Sequence, residues 1–144
     1  MARMEWFPQV LVTAVGVQVF CQVFKLVFYS LRDRRFRPAY LVTAGGIPSA
    51  HSAFVTALAV AIGIRNGFAS DVFALAFVFS AIVIYDAYRL RGHVQNHAKI
   101  INRAILGPAG DEPISEMVGH SVTEIVTGMA LGGGVSALAT LALG

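Results

Sequence analysis

The charged residues of this 144-residue chain are gathered into a few clusters, and long uncharged stretches separate the clusters. Only 13% of the residues are charged, about half the share of a soluble globular domain, and 56% are hydrophobic. The mean hydropathy is +0.68. This pattern excludes a disordered chain, a nucleic-acid-binding module and an ordinary soluble enzyme, although the net charge is +3. The sequence therefore predicts a membrane protein with a single domain over residues 1–144.

Four apolar segments are candidates for membrane-spanning helices: residues 10–31, 51–66, 72–85 and 125–144. The first and the last are about 20 residues long, enough to cross a hydrocarbon core of about 30 Å. The middle two are shorter and suit a buried or interfacial helix equally well, so we interpret them as a tight hairpin. The expected fold is all-α, an integral membrane bundle of about four transmembrane helices.

The basic residues predict how such a bundle is oriented. If all four segments cross, nine of the 11 basic residues lie on one side, and only Arg3 and Arg65 lie on the other. An excess of this kind marks the cytoplasmic side, so we expect a multi-pass protein of the inner (plasma) membrane. On the basic side, residues 92–106 have apolar positions at helical spacing. They predict one amphipathic helix, either on the bilayer surface or packed over the end of the bundle.

The stretch GGIPSAHS, residues 45–52, predicts an anion site at the start of the second segment. Its glycines, Gly46 among them, allow close backbone approach, and a proline followed by Ser49 begins a helix well. The amides of a first helical turn bind anions, and His51 lies where it can give a proton to a group that leaves such an anion. The alternative is a glycine turn, a capping serine and an interfacial histidine, and the local sequence leaves both interpretations open.

The stretch GHSVTE, residues 119–124, brings a second histidine to the start of the last segment. His120 and Glu124 are four residues apart and share one face of a helix, where the carboxylate can orient the imidazole as a nucleophile or a base. The alternative is structural, because Ser121 and Glu124 also have the spacing of a capping box. Taken alone, the capping box is the better interpretation.

Cations that can bind phosphoryl oxygens lie close to both stretches in the predicted bundle. Lys25 is near the end of the first segment, and Arg89 and Arg91 follow the third. Asp86 and Arg89, three residues apart, are interpreted as a structural ion pair.

Two further spacings are noted. His93 and His97 can face one side of a helix as metal ligands, but no cysteine or acidic partner lies nearby, so we predict no metal and no cofactor. Gly128 and Gly132 form a close-packing motif for helices, which indicates either an internal contact or a homo-oligomer.

Taken in order, these motifs resemble those of the divergent branch of the type 2 phosphatidic acid phosphatase (PAP2) superfamily. This is the small membrane branch related to acid phosphatases and vanadium-dependent haloperoxidases. The resemblance covers about residues 22–132. PSAH at 48–51 is similar to the superfamily's Pro-Ser-Gly-His motif, and His120-x3-Glu124 is similar to the end of its third motif, with glutamate for aspartate.

The chain also departs from the superfamily pattern. Lys25 is followed after six residues by Arg32, as in the first motif, but Asp33 stands where a proline is expected. The Ser-Arg half of the third motif is missing. In the divergent branch an arginine after the Tyr-Asp-Ala motif takes its place, and Arg91 fits best.

The resemblance implies a phosphoric monoester hydrolase that acts on a lipid phosphate through a phosphohistidine intermediate without a metal. His120 would attack phosphorus, Glu124 would fix its tautomer, and His51 would protonate the leaving oxygen and then activate water. The groups that would hold the phosphate oxygens are Lys25, Gly46, Ser49 and Arg91, with Arg89 as the alternative arginine.

The expected substrates are phosphatidic acid, phosphatidylglycerol phosphate or a polyprenyl phosphate, met within the lipid bilayer at the cytoplasmic leaflet. No nucleic acid is expected as a partner. The alternative function is a non-catalytic protein that binds or transports lipid phosphates with the same cationic pocket.

Overall fold

The computed structural model describes residues 8–41, 45–105, 114, 116 and 119–143. In these residues the chain forms helices and no strand, which confirms the predicted all-α class. The elements are α1 Gln9–Arg32, a 3-10 turn at Pro38–Leu41, α2 Ala50–Asn66, α3 Asp71–Tyr88, α4 Leu90–Ile105 and α5 Val122–Leu143. The amphipathic helix predicted at residues 92–106 is present as α4.

Among the described residues, three helices are long and apolar enough to cross a membrane. They are α1, the continuous stretch Asp71–Ala104 formed by α3 and α4, and Val122–Ala142 in α5. The fourth candidate, α2, has 17 residues and is about 25 Å long, somewhat less than a hydrocarbon core of about 30 Å. In the part of the chain that the structure describes, three helices of spanning length thus pack around the shorter α2.

Hydrogen bonds show that α1 runs antiparallel to α2. The hydroxyl of Tyr29, near the end of α1, accepts a bond of 3.1 Å from the amide of Ile47, just before α2. At the opposite end of the bundle, the guanidinium of Arg65 donates to the side chain of Gln9. The end of α1 therefore lies beside the start of α2.

The other two packed helices bring their functional ends to the same place. The Ser136 hydroxyl donates to the Ala57 carbonyl at 2.7 Å, and the Ser49 amide donates to the Glu124 carbonyl at 3.0 Å, so α5 runs parallel to α2. The amide of His120, just before α5, donates to the carbonyl of Ala87 near the end of α3. We call the end where α2 and α5 begin and α1 and α3 finish the basic end.

Small side chains fill the interior, and large apolar side chains cover the outside. The buried residues of α2 are small apart from one valine: Ala50, Ser52, Ala53, Val55, Ala57, Ala59, Ala61 and Gly63. Large side chains such as Phe24 and Phe28 of α1 and Phe77 and Phe79 of α3 are exposed. This distribution suits a bundle in lipid, where close helix packing replaces the hydrophobic effect as the main attraction between helices.

The closest approach in the bundle joins α5 to α2 through two glycines. A Cβ at Gly132 would lie 2.7 Å from the Cα of Ala53 and would overlap the Ala53 carbonyl, and a Cβ at Gly128 would overlap the Ser49 carbonyl. Of the two roles predicted for this motif, the internal contact is confirmed. A homo-oligomer through the same glycines stays a prediction.

Replacing Gly132 with valine is expected to destabilise the bundle, because α5 must move away from α2 to admit the side chain. Overpacking of this kind costs about 1–3 kcal/mol, and thermal unfolding in detergent measures it as a lower melting temperature. Gly134→Val is the matched control, because a Cβ at Gly134 meets nothing within 4 Å. Equal melting temperatures for the two variants would show that the contact is not tight.

Candidate active site

The two histidines predicted to act together lie side by side at the basic end. The rings of His51 and His120 have centroids 6.0 Å apart and planes at 81°. His120 is 5% exposed. The Nδ1 of His51 is buried and makes no hydrogen bond to any residue that the structure describes. Since buried polar atoms are usually hydrogen-bonded, this nitrogen is a candidate for contact with a ligand.

His51 owes its position to the first turn of α2. Ser49 caps the helix, because its hydroxyl oxygen accepts from the amide of Ser52 at 3.3 Å, and the two hydroxyls are 3.0 Å apart. Ser49 is completely buried, and its own amide bonds to the Glu124 carbonyl. The capping role considered from the sequence is therefore present, and the histidine pair lies at the positive end of the α2 dipole.

The turn before α2 depends on Gly46 and on a tyrosine that the sequence analysis missed. Gly46 has a φ of +97°, and a Cβ there would lie 2.8–3.1 Å from the phenol ring of Tyr29. The Tyr29 hydroxyl also holds the amide of Ile47. The available signal was spacing, because Tyr29 follows Lys25 by four residues and so shares its helix face.

Residues that follow α1, outside the membrane-spanning segment, pack against Tyr29. Its ring centroid is 5.5 Å from that of Tyr40 in the 3-10 turn. The Tyr40 hydroxyl donates to the carboxylate of Asp33, and this bond raises the pKa of Tyr40 above its ordinary value. The segment after α1 thus folds back and supports the residue that holds the Gly46 turn.

The backbone at His120 is held by two neighbouring helices. The His120 amide donates to the Ala87 carbonyl of α3 at 3.3 Å. The amide of Gly119 donates to the Gln95 side-chain oxygen of α4 at 3.1 Å. Gln95 is a second positioning residue that the sequence analysis missed, and only its place on the polar face of the amphipathic helix could have indicated it.

Glu124 forms the capping box that was the structural alternative. Its carboxylate accepts from the amide of Ser121 at 3.2 Å, and the Ser121 hydroxyl accepts from the amide of Glu124 at 3.3 Å. The same carboxylate is an electrostatic neighbour of Lys25. The predicted orientation of the His120 ring by Glu124 stays a prediction.

Lys25 is the most deeply buried charged side chain in the described residues, with 1% exposure. It continues the buried stripe of α1 formed by Ala14, Val17 and Cys21. Because this stripe packs on α2, the ammonium group lies inside the basic end, within electrostatic range of Glu124 and His51. A buried cation at membrane depth is costly and is therefore a functional hypothesis by default.

The arginines pair differently from the prediction. Asp86 forms its ion pair with Arg91 at 3.1 Å, so the predicted structural pair of Asp86 with Arg89 is wrong. Arg91 follows Asp86 by five residues, and its side chain reaches back to that carboxylate across the junction of α3 and α4 at Arg89. The guanidinium of Arg91 nevertheless lies within electrostatic range of the His51 ring.

Arg89 instead lines a polar pocket of about 320 Å³ into which His120 opens. The wall opposite α5 is made by α4, with Gly92, His93, Gln95 and Asn96. His97 is exposed on the same helix. In the part of the chain that the structure describes, no three His, Cys, Asp or Glu side chains come together as metal ligands.

A half-buried histidine paired with a buried one, with a buried lysine at the same end of a membrane-spanning bundle, defines an integral membrane protein with a candidate anion site. Residues 7–135 match the Divergent PAP2 family, and the chain belongs to this family. It is similar to the uncharacterized membrane protein YuiD of Bacillus subtilis (strain 168), with 29% identity over 138 residues, covering 85% of this chain and 86% of that protein. No solved structure gives a significant match.

Proposed function

We propose that this protein is a lipid phosphate phosphatase that works through a phosphohistidine intermediate. The observation that carries the proposal is the pairing of His51 and His120 at the basic end, where their ring centroids are 6.0 Å apart. Hydrogen bonds are about 2.7–3.2 Å long, so one phosphoryl group between the rings can contact both. Membership of the Divergent PAP2 family supports the same reaction class.

The proposed reaction has two steps. A ring nitrogen of His120 attacks phosphorus, the bond from phosphorus to the lipid oxygen breaks, and protonated His51 gives its proton to that oxygen. Water then attacks phosphorus, His51 takes a proton from the water, and the bond to His120 breaks to release inorganic phosphate. Glu124 is the group proposed to fix the tautomer of His120.

Positive groups stabilise the charge that the phosphoryl oxygens carry in both steps. The groups proposed to contact these oxygens are Lys25, the amides at Gly46 and the first turn of α2, and Arg89, which lines the polar pocket. Since these charges belong to the protein, the proposed reaction needs no metal. The excess of basic residues at this end favours a cytoplasmic orientation.

The test is release of inorganic phosphate by the purified protein in detergent. The panel contains phosphatidic acid, phosphatidylglycerol phosphate and a polyprenyl phosphate, and hydrolysis of at least one is expected. Vanadate should inhibit, because it mimics the five-coordinate phosphorus, and EDTA should not. Binding of these lipids without phosphate release would favour the alternative, a binding or transport protein with the same pocket. Loss of activity in EDTA that zinc restores would contradict the metal-independent mechanism.

The two arginines are expected to contribute unequally. Arg89→Gln removes a charge from the pocket that His120 lines, so it should lower kcat/KM by about 10²-fold. Arg91 is held by Asp86, and Arg91→Gln should lower kcat/KM by about tenfold or less. Steady-state assays of both variants on one lipid phosphate check this order, and a larger loss for Arg91→Gln would make Arg91 the phosphate ligand.

A further inference from the structure

An apolar groove of about 610 Å³ runs along the outside of the bundle between α3 and α5. Its floor includes Ala59 of α2, and its walls include Phe77 and Ala81 of α3 and Met129 of α5. The groove exists because α3 and α5 both pack on α2 but contact each other little. The small side chains of α2 leave the space between them open.

The groove adjoins the polar pocket at the basic end. Tyr88 lines both, and Val122 in the groove follows Ser121 in the pocket. In the other direction the groove reaches Phe73, which is about 22 Å from Tyr88 along α3. This distance exceeds half of a hydrocarbon core of about 30 Å. An apolar channel thus extends into the membrane from the polar pocket that His120 lines.

We propose that this groove binds one hydrocarbon chain of the lipid phosphate, an inference that rests on the function proposed above. A ligand with a charged phosphate and an apolar chain matches two adjoining sites, one polar and basic and one apolar. Placing the chain in the groove directs the phosphate toward the pocket that contains His120. The groove therefore makes the protein selective for long-chain phosphate esters over short ones.

Filling the groove tests the proposal. Ala81→Trp places a large ring on the groove wall, and Ala130→Trp is the matched control, because Ala130 is exposed on α5 outside the groove. For Ala81→Trp, kcat/KM on long-chain phosphatidic acid should fall by about tenfold or more, and kcat/KM on a water-soluble aryl phosphate should change by less than about twofold. Ala130→Trp should leave both values unchanged.

A binding measurement keeps the inference testable apart from catalysis. The chain contains one tryptophan, so a Trp6→Phe background makes each introduced tryptophan the sole fluorophore. A lipid phosphate with a brominated chain should quench the fluorescence of the Ala81→Trp variant saturably and more strongly than a neutral brominated lipid does. The fluorescence of the Ala130→Trp variant should be quenched equally by both lipids. A second substitution, Met129→Trp, on the opposite wall, repeats the measurement if Ala81→Trp fails to fold.

The outcomes separate the inference from the proposed function. If the natural chain hydrolyses no lipid phosphate, the proposed function fails, and saturable quenching alone then decides whether the groove binds a lipid phosphate. If hydrolysis is normal but Ala81→Trp keeps the preference for long chains, the groove inference is wrong. Equal quenching of the Ala81→Trp variant by both lipids would show that bulk lipid fills the groove. If Ala81→Trp abolishes self-association of the protein but keeps the preference for long hydrocarbon chains, the groove is an interface between protein copies.

Discussion

Replacing His120 with alanine is expected to lower the turnover of a lipid phosphate by about four powers of ten or more, because it removes the nucleophile of the proposed reaction. His51→Gln should cause a loss of similar size, because it removes the proposed proton donor to the leaving oxygen. Since the two rings act as one unit, the double variant should be little worse than either single variant. Steady-state phosphate release in detergent measures all three.

The intermediate gives a second and independent readout. In the natural protein, rapid quenching with a substrate labelled in its phosphate should trap a label that is stable in base and lost in acid, as a phosphohistidine is. His120→Ala should trap none. His97→Ala is the control, because His97 is exposed on α4 and does not line the pocket, and it should keep both turnover and label. If His120→Ala kept its function while Lys25 and Arg89 variants lost theirs, the protein would be a lipid-phosphate binder.

Much of the architecture could be predicted because membrane-spanning segments are recognisable in a sequence by their length and their lack of charged residues. Arg32 ends the apolar run of α1, and Asp71 and Ser121 come at the start of the apolar runs of α3 and α5. The exception is α2, which is too short to identify as a spanning helix on length. Its small residues make it the central helix, and this role depends on neighbours that the local sequence does not show.

The candidate site could be predicted in part for the same reason. His51, His120 and Lys25 come together because each lies within a turn or two of a helix end, and alternating helix directions bring those ends to one side. The ion pair of Asp86 could not be predicted, because Arg89 and Arg91 both lie close to Asp86 along the chain and spacing alone does not decide which arginine binds it. Tyr29 and Gln95 act through backbone amides of distant segments, which spacing along the chain does not reveal.

Replacing Lys25 with methionine is expected to separate activity from stability. The ammonium group is almost fully buried and lies near His51 and Glu124, so its loss should lower kcat/KM by about 10²- to 10³-fold. The melting temperature in detergent should stay the same or rise, because methionine fills a similar volume and avoids the cost of a buried charge in a membrane helix.

The control for Lys25→Met is one turn away on the same buried stripe. Cys21→Ala should keep kcat/KM within about twofold while lowering the melting temperature, because it removes packing and no charge. Lys25→Arg restores a positive charge and should recover part of the activity, although the planar guanidinium is larger than an ammonium group. A role of Lys25 in folding alone predicts the reverse, a Lys25→Met variant that melts earlier and retains full kcat/KM once folded. Whether Lys25→Met lowers kcat/KM or lowers the melting temperature therefore distinguishes a phosphate ligand from a structural cation.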